Sequence, residues 1–218
     1  MLPKLLAEFL GTGLIVMTVL GAGFMTANLA AEASIGLTMI ALAVAAVLFV
    51  AITVFAPVSG SHFNPIVSLG LLVRGKFGIS EAFAYIVTQL LGGVAGALVA
   101  NAMFSSNFAL SEVSRITSGT FIGEVVASAG LVLIVLLLVE KQRSQLVAGS
   151  VALWILAGHL FTSSTSFANP AVTLGRIFSS SPSSISIDSA LWFSLAQLIG
   201  LVVALLIVSA LSRKESHD

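Results

Sequence analysis

The chain has no cysteine among its 218 residues. That excludes disulfides, thiolate metal sites and a cysteine nucleophile, and it leaves the redox compartment unread. Charge is scarce as well. Asp, Glu, Lys and Arg make up 8% of the residues, against about 25% in an ordinary soluble domain. Nine basic residues offset nine acidic ones, so no nucleic acid or other polyanion is implied as a partner. No nucleophile–base pair and no cluster of metal-ligating side chains stands out. The sequence therefore argues against an enzyme, and no cofactor or metal is expected. What fills the chain instead is apolar: 58% hydrophobic residues and a mean hydropathy of +1.13. That composition belongs in lipid.

Six long apolar segments follow one another, near Lys4–Ala27, Ser34–Ala56, Ser80–Phe104, Gly119–Glu140, Leu146–Phe161 and Asp188–Ser212. Each approaches the ~20 residues that cross a hydrocarbon core. The first could pass for a secretory signal ending at Ala31-Glu32-Ala33. It is expected to be a span, because it is long, carries Glu8 and has a counterpart later in the chain. Two shorter pieces, Asn64–Val73 and Asn169–Phe178, are too short to span. At 1.5 Å per residue they make about half a bilayer of helix. Each follows a polar run, "PVSGSHF" or "TSSTSFA". Such backbone is tolerated at membrane depth only where it lines a cavity or is buried in protein.

These pieces belong to a repeat. "AEFLGTGLIV" from Ala7 and "GEVVASAGLVLIV" from Gly123 each carry one glutamate near their start. "NPIVSLG" at Asn64 is answered by "NPAVTLG" at Asn169, and "QLLG" at Gln89 by "QLIG" at Gln197. Each half, residues 1–104 and 119–218, holds three spans, an odd number, so the halves are inverted in the membrane. The fold expected is an all-α membrane protein: six transmembrane helices plus two re-entrant half-helices in one channel domain, residues 1–218. Lys4, Arg74, Lys76, Lys141, Arg143, Arg213 and Lys214 then share one side, and only Arg115 and Arg176 lie on the other. The positive-inside rule makes the first side cytoplasmic, with both termini there.

Asparagine is a favoured N-cap and proline suits the first helical position. Asn64-Pro65 and Asn169-Pro170 are therefore helix starts. Entering from opposite faces, they bring two positive dipole ends and two carboxamides to one point near the midplane. The carbonyls of Gly60, Ser61 and His62, and of Ser164, Thr165 and Ser166, are expected to form an acceptor ladder leading to it. Such a pore passes small neutral polar molecules and resists cations. Glu8 and Glu124 are expected to accept hydrogen bonds from the two loops, and Gln89 and Gln197 to tie them. His62 either lines the inner vestibule or braces the loop with its ring. "GGVAGA" at Gly92–Ala97, with Gly11 and Gly13, reads as close helix packing. Inverted repeats with broken helices also build secondary transporters. That alternative calls for an ionisable site at the breaks, which here carry asparagine.

"AEFLGTG", "SGSHFNP", "SFANPAVTLG" and the Gln-Leu repeats together resemble the major intrinsic protein family of aquaporins and aquaglyceroporins, over essentially the whole chain. The resemblance implies a right-handed bundle assembled as a homotetramer with one pore per subunit. It also implies passive, bidirectional conduction of water or small uncharged solutes, and a place in a plasma membrane. The family's two pore boxes fall on Asn64, Pro65 and Ile66 and on Asn169, Pro170 and Ala171. Ile66 departs mildly, since alanine is usual there. Val172 departs more, since an arginine usually follows the second box and walls the narrow filter. The other filter positions fall on Val44, Ser166 and a fifth-helix residue. His159 is the choice for the last, with Gly158 and Ala157 as alternatives. Valine in place of arginine removes a charge and a planar set of N–H donors, so a wide, weakly polar filter is expected. That resembles a bacterial branch of the family associated with arsenic resistance, whose substrates are uncharged arsenicals such as arsenous acid. An inner-membrane location and glycerol-like or metalloid solutes follow as expectations.

Overall fold

The computed structural model describes residues 1–212, so Arg213, Lys214 and most of the polar tail lie outside the described residues. Six helical segments are long and apolar enough to cross a membrane: α1 (Leu2–Asn28), α2 (Ala33–Ser59), α4 (Ile79–Met103), α5 (Ser118–Glu140), α6 (Val147–Phe161) together with the 3₁₀ turn Ser144–Leu146 before it, and α8 (Ile187–Ser212). Two short helices, α3 (Pro65–Val73) and α7 (Pro170–Gly175), complete the set. No strand occurs among the described residues. The order matches the expected repeat, α1–α4 against α5–α8.

Each half is built alike. α1 packs along α4, and α5 along α8, while α2 and α6 close the bundle between the halves. The α1–α4 seam is made of glycine: a Cβ at Gly92 or Gly96 would strike the α1 backbone at Phe9 or Gly13. Without side chains in the way, the two backbones meet directly. Outside, large apolar side chains such as Phe83, Leu153, Leu191 and Leu206 are more than half exposed. Side chains of this kind suit contact with lipid rather than water.

Two helix ends differ from the sequence expectation. α2 runs through Pro57 to Ser59 instead of stopping at Ala56. Proline forfeits one ladder bond, but tertiary partners hold the last turn. Ser59 Oγ donates to Glu8 at 2.7 Å, and Tyr85 Oη donates to the Ser59 carbonyl at 2.8 Å. α7 stops at Gly175 and finishes as a 3₁₀ turn, Arg176–Phe178. There the Arg176 N–H is shared between the carbonyls of Val172 and Leu174, the tightening common at helix ends.

Ion pairs sort the charges by face. Lys4 meets Glu81 at 2.9 Å, joining the starts of α1 and α4. Arg74 meets Glu140 at 2.6 Å and reaches Ser209, joining the ends of α3, α5 and α8. Lys76 lies in the short link from α3 to α4, and Lys141 and Arg143 follow α5, so these five cations share the N-terminal face. On the opposite face Arg115 donates to the carbonyls of Ser184 and Pro182, and Arg176 to that of Ser183.

Candidate functional site, a pore between two asparagine-capped half-helices

Asn64 and Asn169 do two jobs each. The Asn64 carboxamide oxygen accepts from the Ile66 N–H at 3.1 Å and that of Asn169 from the Ala171 N–H at 2.9 Å, so each caps its half-helix. The carboxamide nitrogens reach across. Asn64 Nδ2 donates to the Ala168 carbonyl and Asn169 Nδ2 to the Phe63 carbonyl, both at 2.8 Å. This reciprocal exchange locks the two loops together at the centre of the bundle. A carboxamide carries two N–H bonds, so one donor remains on each asparagine, and both residues line the cavity.

The loops ahead of the caps are irregular and must be held. Ser61 and Phe63 on one side, and Thr165, Ser166 and Ala168 on the other, take left-handed φ values between 46° and 61°. Non-glycine residues there cost roughly 1–3 kcal/mol each and persist only when their surroundings over-determine them. Two buried carboxylates do so. Glu8 accepts from the N–H groups of His62 and Phe63 at 3.0 and 2.7 Å, from Ser59 Oγ, and from Gln89 Nε2 at 2.7 Å. Glu124 accepts from the N–H groups of Phe167 and Ala168 at 2.8 and 2.9 Å, and from Gln197 Nε2 at 2.6 Å. A carboxylate filled by several donors is satisfied as the anion. With their N–H groups turned to glutamate, the loops leave the carbonyls of Gly60, Ser61, His62, Ser166 and Phe167 with no donor among the described residues. These five residues line the cavity.

That cavity measures about 360 Å³ and is touched by residues from both faces, Lys76 and Ser144 at one end and His159 and Arg176 at the other. One wall is aliphatic, with Ile15, Leu48, Leu71, Leu131, Val135 and Val151 among others. The other is the polar stripe of loop backbone and asparagines. Val44, His159, Ser166 and Val172 all line it. Of the three candidates on the fifth spanning helix, α6, only His159 faces the cavity: Gly158 packs on Ser166, and Ala157 is exposed. His159 Nδ1 lies 2.8 Å from the Ile155 carbonyl. Pro65, Ile66, Pro170 and Ala171 stand behind the lining, in the stems of the half-helices. Ser164 and Thr165 also lie outside the lining, and the second loop meets the cavity through Ser166, Phe167 and Ala168 instead. His62 combines both expected roles. It lines the cavity, and its ring sits 4.7 and 5.1 Å from those of Phe77 and Tyr85.

Sequence reasoning missed Arg176 as a site residue and used it only to judge topology. Its side chain is buried and touches the cavity, and its guanidinium lies 3.4 Å from the centre of the Phe167 ring. Burial, and then the nearby charge of Arg115, pull its pKa below the ordinary arginine value, while Glu124 opposes them. Arginine starts so high that it remains a cation at neutral pH. The available signal was spacing: four residues after Val172 is one helical turn on the same face.

Residues 1–168 match the family profile of the major intrinsic proteins. The chain is 38% identical over 203 residues to the aquaglyceroporin AqpS of Rhizobium meliloti, covering 93% of this chain and 87% of the relative. It is 34% identical over 184 residues to a probable TIP-type aquaporin of Medicago truncatula, covering 78% and 72%. An X-ray structure of the aquaglyceroporin from Plasmodium falciparum superposes with a TM-score of 0.73 over 94% of this chain and 93% of that one, at 21% identity. The inverted repeat, the two asparagine-capped half-helices and these relatives agree, and the chain belongs to the major intrinsic protein family.

Proposed function

We propose that this membrane channel conducts small uncharged solutes larger than water, such as glycerol-like polyols and neutral metalloid acids, as well as water. The observation that carries the proposal is Val172. It lines the cavity with Val44, His159 and Ser166, which we assign as the filter. Two valines leave the filter wide and weakly polar. The lining favours solutes with two sides, because carbon chains can pass along the aliphatic wall while hydroxyls exchange hydrogen bonds with the loop carbonyls. No carboxylate among the described residues lines the cavity, whereas ion-coupled transport at broken helices calls for an ionisable or ion-coordinating site. The similarity to a bacterial aquaglyceroporin supports a bacterial inner membrane as the location. The five described cations on the N-terminal face support both termini being cytoplasmic. The exposed apolar flanks are consistent with a homotetramer.

The test is a Val172→Arg variant in proteoliposomes, with glycerol, arsenous acid and water permeabilities measured by stopped flow at matched protein content. The ratio of solute to water permeability falls if position 172 sets the width. An unchanged ratio removes the filter from this position.

A further inference from the structure

We propose that Arg176 supplies, from one turn further along the pore, the guanidinium that position 172 lacks, excluding cations and donating hydrogen bonds to neutral hydroxylated solutes. The proposal rests on the channel function above and names a selecting residue within it.

The backbone places Arg176 correctly. Its N–H bonds to the Val172 carbonyl, so the two residues share a face about 6 Å apart along the axis. Helical side chains lean back toward the helix N-terminus, which here is Asn169 at the centre of the pore. The structure bears the marks of that reach. The guanidinium carbon of Arg176 lies over the ring of Phe167, 3.4 Å from its centre, beside the filter residue Ser166. Nε is spent on the Ser183 carbonyl at 2.5 Å. The remaining N–H groups have no partner among the described residues, in a side chain that borders the cavity.

The neighbours complete a recognition site. Ser166 Oγ is sealed against Gly158 with no hydrogen-bond partner among the described residues, so this residue meets the cavity through its carbonyl. A carbonyl only accepts, so His159 donates its Nδ1–H to Ile155, and in the neutral ring Nε2 of this cavity-lining residue is left with a lone pair. The cavity end therefore offers donors from Arg176 and acceptors from His159 and the Ser166 carbonyl. A hydroxyl group, which donates and accepts at once, matches that set.

Charge makes the same case. Arg115 also faces the Phe167 ring, at 5.5 Å, and neither arginine is paired with a carboxylate. Two cations without an ion pair beside a low-dielectric pore add a positive potential that repels cations, with or without charge at position 172, while the nearby anion Glu124 is engaged by the N–H groups of Phe167 and Ala168.

The experiment compares Arg176→Leu, Arg176→Lys and the double variant Arg176→Leu/Val172→Arg in proteoliposomes, reading potassium leak together with glycerol and water permeability. We expect the leak to rise about tenfold in Arg176→Leu, the scale of electrostatic focusing in a cleft, with the glycerol-to-water ratio falling. Arg176→Lys and the double variant hold the leak at the wild-type level. If Arg176→Leu does not reconstitute, Arg176→Gln drops the charge while keeping a donor for Ser183 and reads the same leak. A wild-type leak in the uncharged variant overturns the proposal, and so does failure of Val172→Arg to restore exclusion. A wild-type protein that passes neither glycerol nor water overturns the channel function itself and this inference with it.

Discussion

Glu124→Gln is the sharpest perturbation of the pore that leaves its lining untouched. The carboxylate holds the second loop through the N–H groups of Phe167 and Ala168, and ties α8 through Gln197. All three partners are donors. A glutamine at 124 keeps one acceptor oxygen and turns an NH₂ group toward the other donors, so at least one bond becomes a donor–donor contact. A hydrogen bond to a charged group contributes about 1.5–3 kcal/mol, and a buried donor left unpaired costs a further 1–3 kcal/mol. The loss comes to about 2.5–6 kcal/mol, before the strain of left-handed Thr165, Ser166 and Ala168 is counted. That is a large share of the 5–15 kcal/mol that holds a typical domain together. Thermal unfolding of the detergent-solubilised protein should show a clearly lowered midpoint, and glycerol flux should drop as the loop loses its shape. Glu124→Asp should fall between wild type and Glu124→Gln, because it keeps the charge but draws it back by one methylene. An unchanged midpoint and flux in Glu124→Gln would refute the claim that the carboxylate holds the loop.

Other perturbations have equally definite outcomes. Asn64→Ala and Asn169→Ala each remove a cap worth about 1 kcal/mol and one of the two cross-loop bonds, so either variant should conduct poorly and melt earlier, as measured by the same flux and unfolding assays. Gly96→Val should abolish the folded protein, seen as aggregation on size-exclusion chromatography, because even a single Cβ would strike the α1 backbone at Gly13. Arg74→Ala should shift the unfolding midpoint only slightly, since its pair with Glu140 is partly exposed and such pairs contribute about 0–1 kcal/mol.

Most of the fold was legible in the sequence, because it is written in local terms. Lipid demands long apolar runs, and Asn-Pro is a helix start wherever it occurs, so six spans and two half-helices could be placed within a few residues. The roles of Glu8 and Glu124 followed from a duplicated acid in each apolar helix beside a loop with unpaired N–H groups. What escaped depends on partners distant in the chain. α2 passes Pro57 because Glu8 and Tyr85 hold Ser59, a contact no local rule contains. The exchange between Asn64 and Ala168, and between Asn169 and Phe63, joins residues more than a hundred positions apart. The second acceptor ladder was expected over Ser164, Thr165 and Ser166. In the structure the lining of that loop starts at Ser166, because the Ser164 side chain turns toward Glu124 and accepts from the Ser166 N–H. Arg176 escaped for another reason: it lies one helical turn beyond position 172, outside the Asn-Pro box, and only the fold brings this buried side chain to the cavity.

Solute uptake by the wild-type protein in proteoliposomes, measured over a range of concentrations and temperatures, decides whether a wide pore for uncharged solutes exists here. Glycerol and arsenous acid should enter well above the rate of protein-free vesicles, without saturating at low concentration. The activation energy should be low, as for passage through an open path. Water flux alone, with glycerol and arsenous acid held at the rate of empty vesicles, would contradict the wide filter walled by Val44 and Val172.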